Sequence, residues 1–136
     1  MDKETEILAK TIYGEARGEN LSGMEAVACV ILNRVKRAQT TGPFWWGKTV
    51  SDVCLKPRQF SCWNPDDVNQ ARLSGDLTAD NIFQICRRVA VRALRGLLCD
   101  KTKGSTHYHT LDTHPAWASA LVPNAQIGNH LFYTCV

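Results

Sequence analysis

The chain has 136 residues, 44% hydrophobic and 21% charged, with a formal charge of +3, a balance that fits one folded domain and excludes a disordered or low-complexity chain. The small basic excess suits an anionic polymer as partner, but no basic run or basic–aromatic stripe points to nucleic acid, and none is expected. No apolar run reaches the roughly 18 residues of a membrane span, so no membrane insertion is expected.

The N-terminus, Met1-Asp2-Lys3-Glu4, is charged, and no apolar stretch follows it. No signal peptide is read there, and synthesis in the cytoplasm is the expectation. Glu4 to Tyr13 reads as a first helix, with Ile7, Leu8, Thr11 and Ile12 on one face. Gly14 and Gly18 punctuate its end and bracket two carboxylates, Glu15 and Glu19, placed four residues apart. Such a pair is common on solvated helix surfaces. The glycines, however, let a ligand or a second backbone come close. A carboxyl group at the negative end of a helix dipole is favoured in its neutral form, which suits a general acid.

Ser22 and Glu25 have capping-box spacing. They open a second helix, Gly23 to Arg37, with Val27, Val30, Ile31 and Val35 as its apolar stripe. Gly42-Pro43-Phe44-Trp45-Trp46-Gly47 is a loop, and Thr49 to Cys54 a short helix. Gln59 to Pro65 is irregular, and Asp66 to Gly75 holds one helical turn. Thr78 or Asp80 caps a long helix running to about Leu97, with Ile82, Ile85, Cys86, Val89, Ala90, Ala93 and Leu97 buried. Its arginines form a solvated face. Ser105 to Thr110 and Leu131 to Thr134 alternate as strands, with a loop from Asp112 to Gly128 between them. The fold class expected is α+β, helix-rich, with a small β element near the C-terminus.

Six cysteines, without a CxxC pair, read mainly as buried thiols, with disulfides left open. Trp45, Trp46, Phe60, Trp63, Tyr108 and Trp117 fall in loops or at their edges, where aromatics stack on sugars or cover small cores under the loops. His107 and His109 share one face of a strand. They could chelate a metal with a third ligand such as His114 or His130, although no HExxH is present. Substrate contact or structural hydrogen bonding is the preferred reading, with no metal. No Gly-rich phosphate loop occurs, and no cofactor is expected.

The run from Ala9 to Glu19, with its Gly14-Glu15-Ala16-Arg17-Gly18-Glu19 core, resembles the cell wall hydrolases of the spore-cortex-lytic type. So do Gly23 to Ala28, Ile31 to Val35, Gln59 to Trp63, Thr106 to His109, Pro115 to Ala118 and Ile127 to Tyr133. The resemblance covers nearly the whole chain. It implies a lysozyme-like, lytic-transglycosylase-related domain over residues 1–136. It also implies cleavage of the MurNAc-β-1,4-GlcNAc bond of peptidoglycan glycan strands. The family's catalytic glutamate matches Glu15, and Glu19 is cast as a supporting residue. The candidate substrate-binding set is Tyr13, Gln59, Phe60, Trp63, His107, Tyr108, His109 and Trp117. A monomer is expected. With no signal peptide read, the chain resembles a phage or prophage lysin, released through a holin-type pore to act on the periplasmic or extracellular wall. The competing expectations are a metal-dependent amidase or peptidase built on His107 and His109, and a wall-binding module without turnover.

Overall fold

The computed structural model describes residues 2–42, 44–57 and 59–134. Helix α1 spans Lys3–Ala16 and α2 spans Leu21–Thr41; α3 is Val50–Leu55, α4 Val68–Leu73 and α5 Asn81–Leu94. Two single 3₁₀ turns, Ser61–Trp63 and Ala116–Ala118, interrupt the loops. The strands are β1, His107–Thr110, β2, Ala125–Ile127, and β3, His130–Tyr133. They form an antiparallel sheet in the order β1-β3-β2. The helix-rich α+β reading therefore stands, and β2 is an addition. At three residues, inside a loop containing prolines, it has too short a run for alternation to show.

Helix α1 starts where the Asp2 carboxylate accepts the Thr5 N–H at 2.8 Å. It then runs through Gly14 to Ala16, past the end expected at Tyr13. A glycine inside a helix costs about 1 kcal/mol relative to alanine. Here it admits a neighbour, because a Cβ on Gly14 would lie 2.4 Å from Cys62 Cβ and 2.6 Å from Cys62 Sγ. Helix α2 is capped by Asn20, whose side chain accepts the Gly23 N–H at 3.0 Å, and not by Ser22. Glu25 bonds instead to Arg92 on α5 at 2.8 Å. The far end of α2 extends to Thr41, with Thr40 and Thr41 hydroxyls donating to the carbonyls of Lys36 and Arg37. It stops at Gly42, whose φ of 103° lies in the left-handed region that favours glycine. Asp80, not Thr78, caps α5 through Ile82 and Phe83 N–H groups. That helix closes at Leu94, and Leu97, expected inside, is 60% exposed.

Helices α1, α2 and α5 pack around one core that includes Leu8, Ile12, Val27, Ile31, Phe83 and Val89. The sheet adds a smaller cluster in which Phe132 meets Ala26 and Val30 of α2, with Tyr108 and Ile127 against it. Arg34 ties the two parts. Its Nε donates to Thr106 O at 2.6 Å, and its guanidinium lies over the rings of Trp46 and Phe60. Cys29, Cys54, Cys62 and Cys86 are buried free thiols and Cys99 is exposed. Cys135 and Pro43 lie outside the described residues.

Candidate active site

Glu15 sits in the last turn of α1, part-buried, where that helix faces the sheet. Two elements far away in sequence reach its carboxylate. The Tyr108 hydroxyl on β1 donates to Oε1 at 2.8 Å. The Cys62 backbone N–H, on the 3₁₀ turn that presses onto Gly14, donates to Oε2 at 3.3 Å. Burial first, and the Glu15 charge second, push the Tyr108 phenol well above its ordinary value of 10, so it keeps its proton. A cleft of about 510 Å³ opens beside this carboxylate, walled by Glu15, Gly18, Glu19, Thr110, Asn129 and His130.

Glu19 has a different task. Its Oε1 accepts the Asn129 backbone N–H at 2.9 Å and its Oε2 the Asn129 side-chain amide at 3.1 Å. The carboxylate thus fastens the β2–β3 turn to the α1–α2 connection. The fit leaves no room for side chains. A Cβ on Gly128, at a φ of +56°, would lie 2.1 Å from Glu19 Oε1, and one on Gly23 would lie 2.6 Å from Glu19 Cβ. His130 is 4% exposed, and its Nδ1 stands 3.7 Å from Glu19 Oε1, too far for a hydrogen bond. Burial lowers the His130 pKa against the raising effect of Glu19 and Glu15. Its ring meets that of Tyr108 edge-on, with centroids 4.9 Å apart.

The alternation of β1 divides the His-Tyr-His block. Tyr108 and Thr110 face α1 and the cleft. His107 and His109 project to the opposite face, where both rings contact Trp117, with centroids 5.5 and 5.7 Å away. His109 Nδ1 lies 2.7 Å from the Thr110 carbonyl, which can only accept, so that nitrogen carries the hydrogen. Its Nε2 then accepts from the Tyr133 hydroxyl at 2.8 Å. Both imidazole nitrogens of His109 are engaged within the protein, and His107 Nδ1 meets Thr106 Oγ1 at 2.9 Å. Among the described residues, no three His, Cys, Asp or Glu side chains are gathered to hold a metal.

Of the other expected substrate contacts, several turn inward. Tyr13 is 1% exposed and donates to Asp80 at 2.6 Å, so the structure does not bring it to the cleft. Phe60 is 3% exposed, under the Arg34 guanidinium. Gln59 donates to the Val53 carbonyl at 2.7 Å. Trp63 donates to Thr11 at 2.8 Å and borders a separate groove with Leu55, Pro57 and Asp66. The structure thus joins Glu15, Glu19 and Tyr108 in one site and leaves His107, His109 and Trp117 together elsewhere. Asn129 and Cys62 lie within stretches that carried the resemblance but were given no role: Asn129 binds Glu19 through both its backbone N–H and its side-chain amide, and Cys62 meets Glu15 through its backbone N–H. His130 was legible only as a possible ligand. Gly14, read as letting a ligand or a second backbone come close, admits the turn at Cys62, whereas a Cβ on Gly18 would meet nothing within 4 Å.

The profile of the cell wall hydrolase family matches residues 18–133, with Glu15 just ahead of that stretch. The spore cortex-lytic enzyme of Halalkalibacterium halodurans is 34% identical over 132 residues, which take in 96% of this chain and 34% of that enzyme. The spore cortex-lytic enzyme of Bacillus cereus is 32% identical over 130 residues, 95% of this chain and 43% of that enzyme. The chain therefore spans between a third and a half of the length of these curated relatives. Among solved structures, the catalytic domain of the Bacillus cereus SleB protein superposes with a TM-score of 0.73 at 29% identity, covering 96% of this chain and 89% of that one. The catalytic domain of the germination-specific lytic transglycosylase SleB from Bacillus anthracis gives the same TM-score and identity, covering 98% and 97%. These relatives are spore enzymes and lend no support to the phage or prophage origin expected from the N-terminus.

Proposed function

The chain belongs to the cell wall hydrolase family, and from that premise we propose that it cleaves the glycan strands of peptidoglycan at the MurNAc-β-1,4-GlcNAc bond, with Glu15 as general acid and then base. The observation that carries this reading is a part-buried carboxylate at a helix end, bordering a cleft and held from two sides by the Tyr108 hydroxyl and the Cys62 N–H. In the first step Glu15 gives its proton to the glycosidic oxygen as the C–O bond breaks. In the second the carboxylate takes a proton from the nucleophile. That nucleophile is the muramyl C6 hydroxyl in a transglycosylase, which forms a 1,6-anhydro ring, or water in a muramidase. An intramolecular nucleophile needs no second catalytic carboxylate, which agrees with Glu19 being occupied by Asn129. The relative described as a lytic transglycosylase favours the anhydro product.

Replacing Glu15→Gln is expected to abolish release of soluble glycan from purified sacculi. The loss should exceed about 100-fold, the lower bound for removing a general acid–base group, while the circular dichroism spectrum is kept. Retained activity would sink the assignment. Mass spectrometry of the wild-type digest reads the reaction type, since anhydro ends are one water lighter than hydrolysed ones. Release of free amines without new glycan ends would point instead to an amidase.

A further inference from the structure

The two oxygens of Glu15 are not equivalent. Oε1 receives a short 2.8 Å bond from a phenol, and Oε2 a long 3.3 Å bond from a backbone N–H. On the reading that Glu15 is the acid–base group, the geometry points to Tyr108 as the residue that fixes which oxygen carries the reacting proton: it holds Oε1 as the permanent acceptor and leaves Oε2 to deliver the proton to the glycosidic oxygen and take one back.

The argument is one of hydrogen-bond balance. A carboxylic acid carries its hydrogen on one oxygen and accepts best at the other. Were the proton on Oε1, the Tyr108 hydroxyl would have to turn and accept it, and its own hydrogen would need a new acceptor. Glu15 is the hydrogen-bond partner seen for that hydroxyl among the described residues. The surrounding groups are the Phe132 ring, 5.7 Å away, and the His130 ring, met edge-on. With the proton on Oε2 the Tyr108 hydroxyl keeps its donor role, and only the long 3.3 Å bond from the Cys62 N–H weakens. The phenol also keeps its hydrogen through both steps, since burial and the Glu15 charge resist its ionisation. Tyr108 is thus a positioning residue, part-buried beside Phe132 on the sheet face that packs against α2, with its hydroxyl reaching the end of α1. It exchanges no proton with the substrate, in contrast to the substrate contact that its sequence setting suggests.

The test compares Tyr108→Phe with wild type on purified sacculi. The value of kcat should fall about 10- to 100-fold through misorientation, with KM unchanged. Should Tyr108→Phe lose its fold, site-specific Tyr108→4-fluorophenylalanine nearly keeps the size of the side chain while removing the donor, and the same fall in kcat at constant KM is expected. Unchanged kcat overturns the inference. So does a rise in KM with kcat intact, which would make Tyr108 a substrate contact. Glu15→Gln, measured alongside, separates the two ideas: if it stays active the acid–base reading itself falls, whereas if it is inactive and Tyr108→Phe behaves as wild type only the role of Tyr108 falls.

Discussion

At the scale of single residues, the glycines around Glu15 behave oppositely. Gly14→Ala pushes a methyl group into Cys62, so stability should drop by about 1–3 kcal/mol, the usual cost of overpacking. Activity should fall with it, because the displaced turn carries the N–H that faces Glu15 Oε2. Gly18→Ala meets open space and should change stability by less than about 0.5 kcal/mol. Thermal melts and sacculus digestion check both. Spacing alone left Glu15 and Glu19 as a pair common on solvated helices; the resemblance singled out Glu15, and the structure places it part-buried beside a cleft. Its surroundings were less legible. Tyr13 is its near neighbour in sequence, yet the helical turn sends that ring into the core, where it bonds Asp80. Sequence proximity does not fix direction, and the aromatics Phe60 and Tyr13 were drawn inward by cation and carboxylate partners that no local pattern reveals.

At the scale of elements, the β2–β3 turn hangs on Glu19. Glu19→Ala removes both bonds to Asn129 and should cost about 1 kcal/mol, since the exposed Asn129 can turn to water. By loosening one wall of the cleft it should lower kcat/KM about tenfold. Glu19→Gln keeps an oxygen for the Asn129 N–H and should recover part of that loss. If both variants were as inactive as Glu15→Gln, Glu19 would be a second catalytic carboxylate rather than a fastening. The entry to α5 offers a second check. Asp80→Ala loses the cap and the Tyr13 bond together and should lower Tm more than Asp76→Ala, whose bonds all go to Thr78. The existence of the long helices was readable from apolar spacing. Their ends were not, because Asn20 competed with Ser22 as a cap and Gly14 was stabilised in the helix by a neighbour 48 residues away in sequence, at Cys62. Alternation placed β1 and β3 but not the three-residue β2, and the same alternation parts Tyr108 from the histidines beside it.

At the scale of the whole molecule, pH should act on stability mainly through histidine before it acts through aspartate. Burial, helped by Arg34 and Arg37, lowers the His107 pKa to about 4. A histidine depressed in the folded state binds its proton more readily when unfolded. Stability should therefore fall as pH drops from about 6.5 towards 4 and stop falling on this account below that. His130 adds a slope of the same sign. The aspartates held below their ordinary range, Asp80 and Asp100 among them, contribute above 3.8 and are lost only as pH falls through their lower folded values. Denaturant melts of His107→Gln should show a flatter profile in the upper window. Thiol labelling reads the same interior: Cys99 should react in the native protein, while Cys29, Cys54 and Cys86, buried with pKa values pushed up to about 12, should react only on unfolding. Glu15 and the hydroxyl that donates to it are separated by 93 positions in the chain. During synthesis the glutamate is made before its phenol donor, so the pairing waits until β1 has been added. On the function proposed above, a product cut short before β1 carries the acid without its donor, and the order of synthesis itself keeps a half-made site from working on glycan.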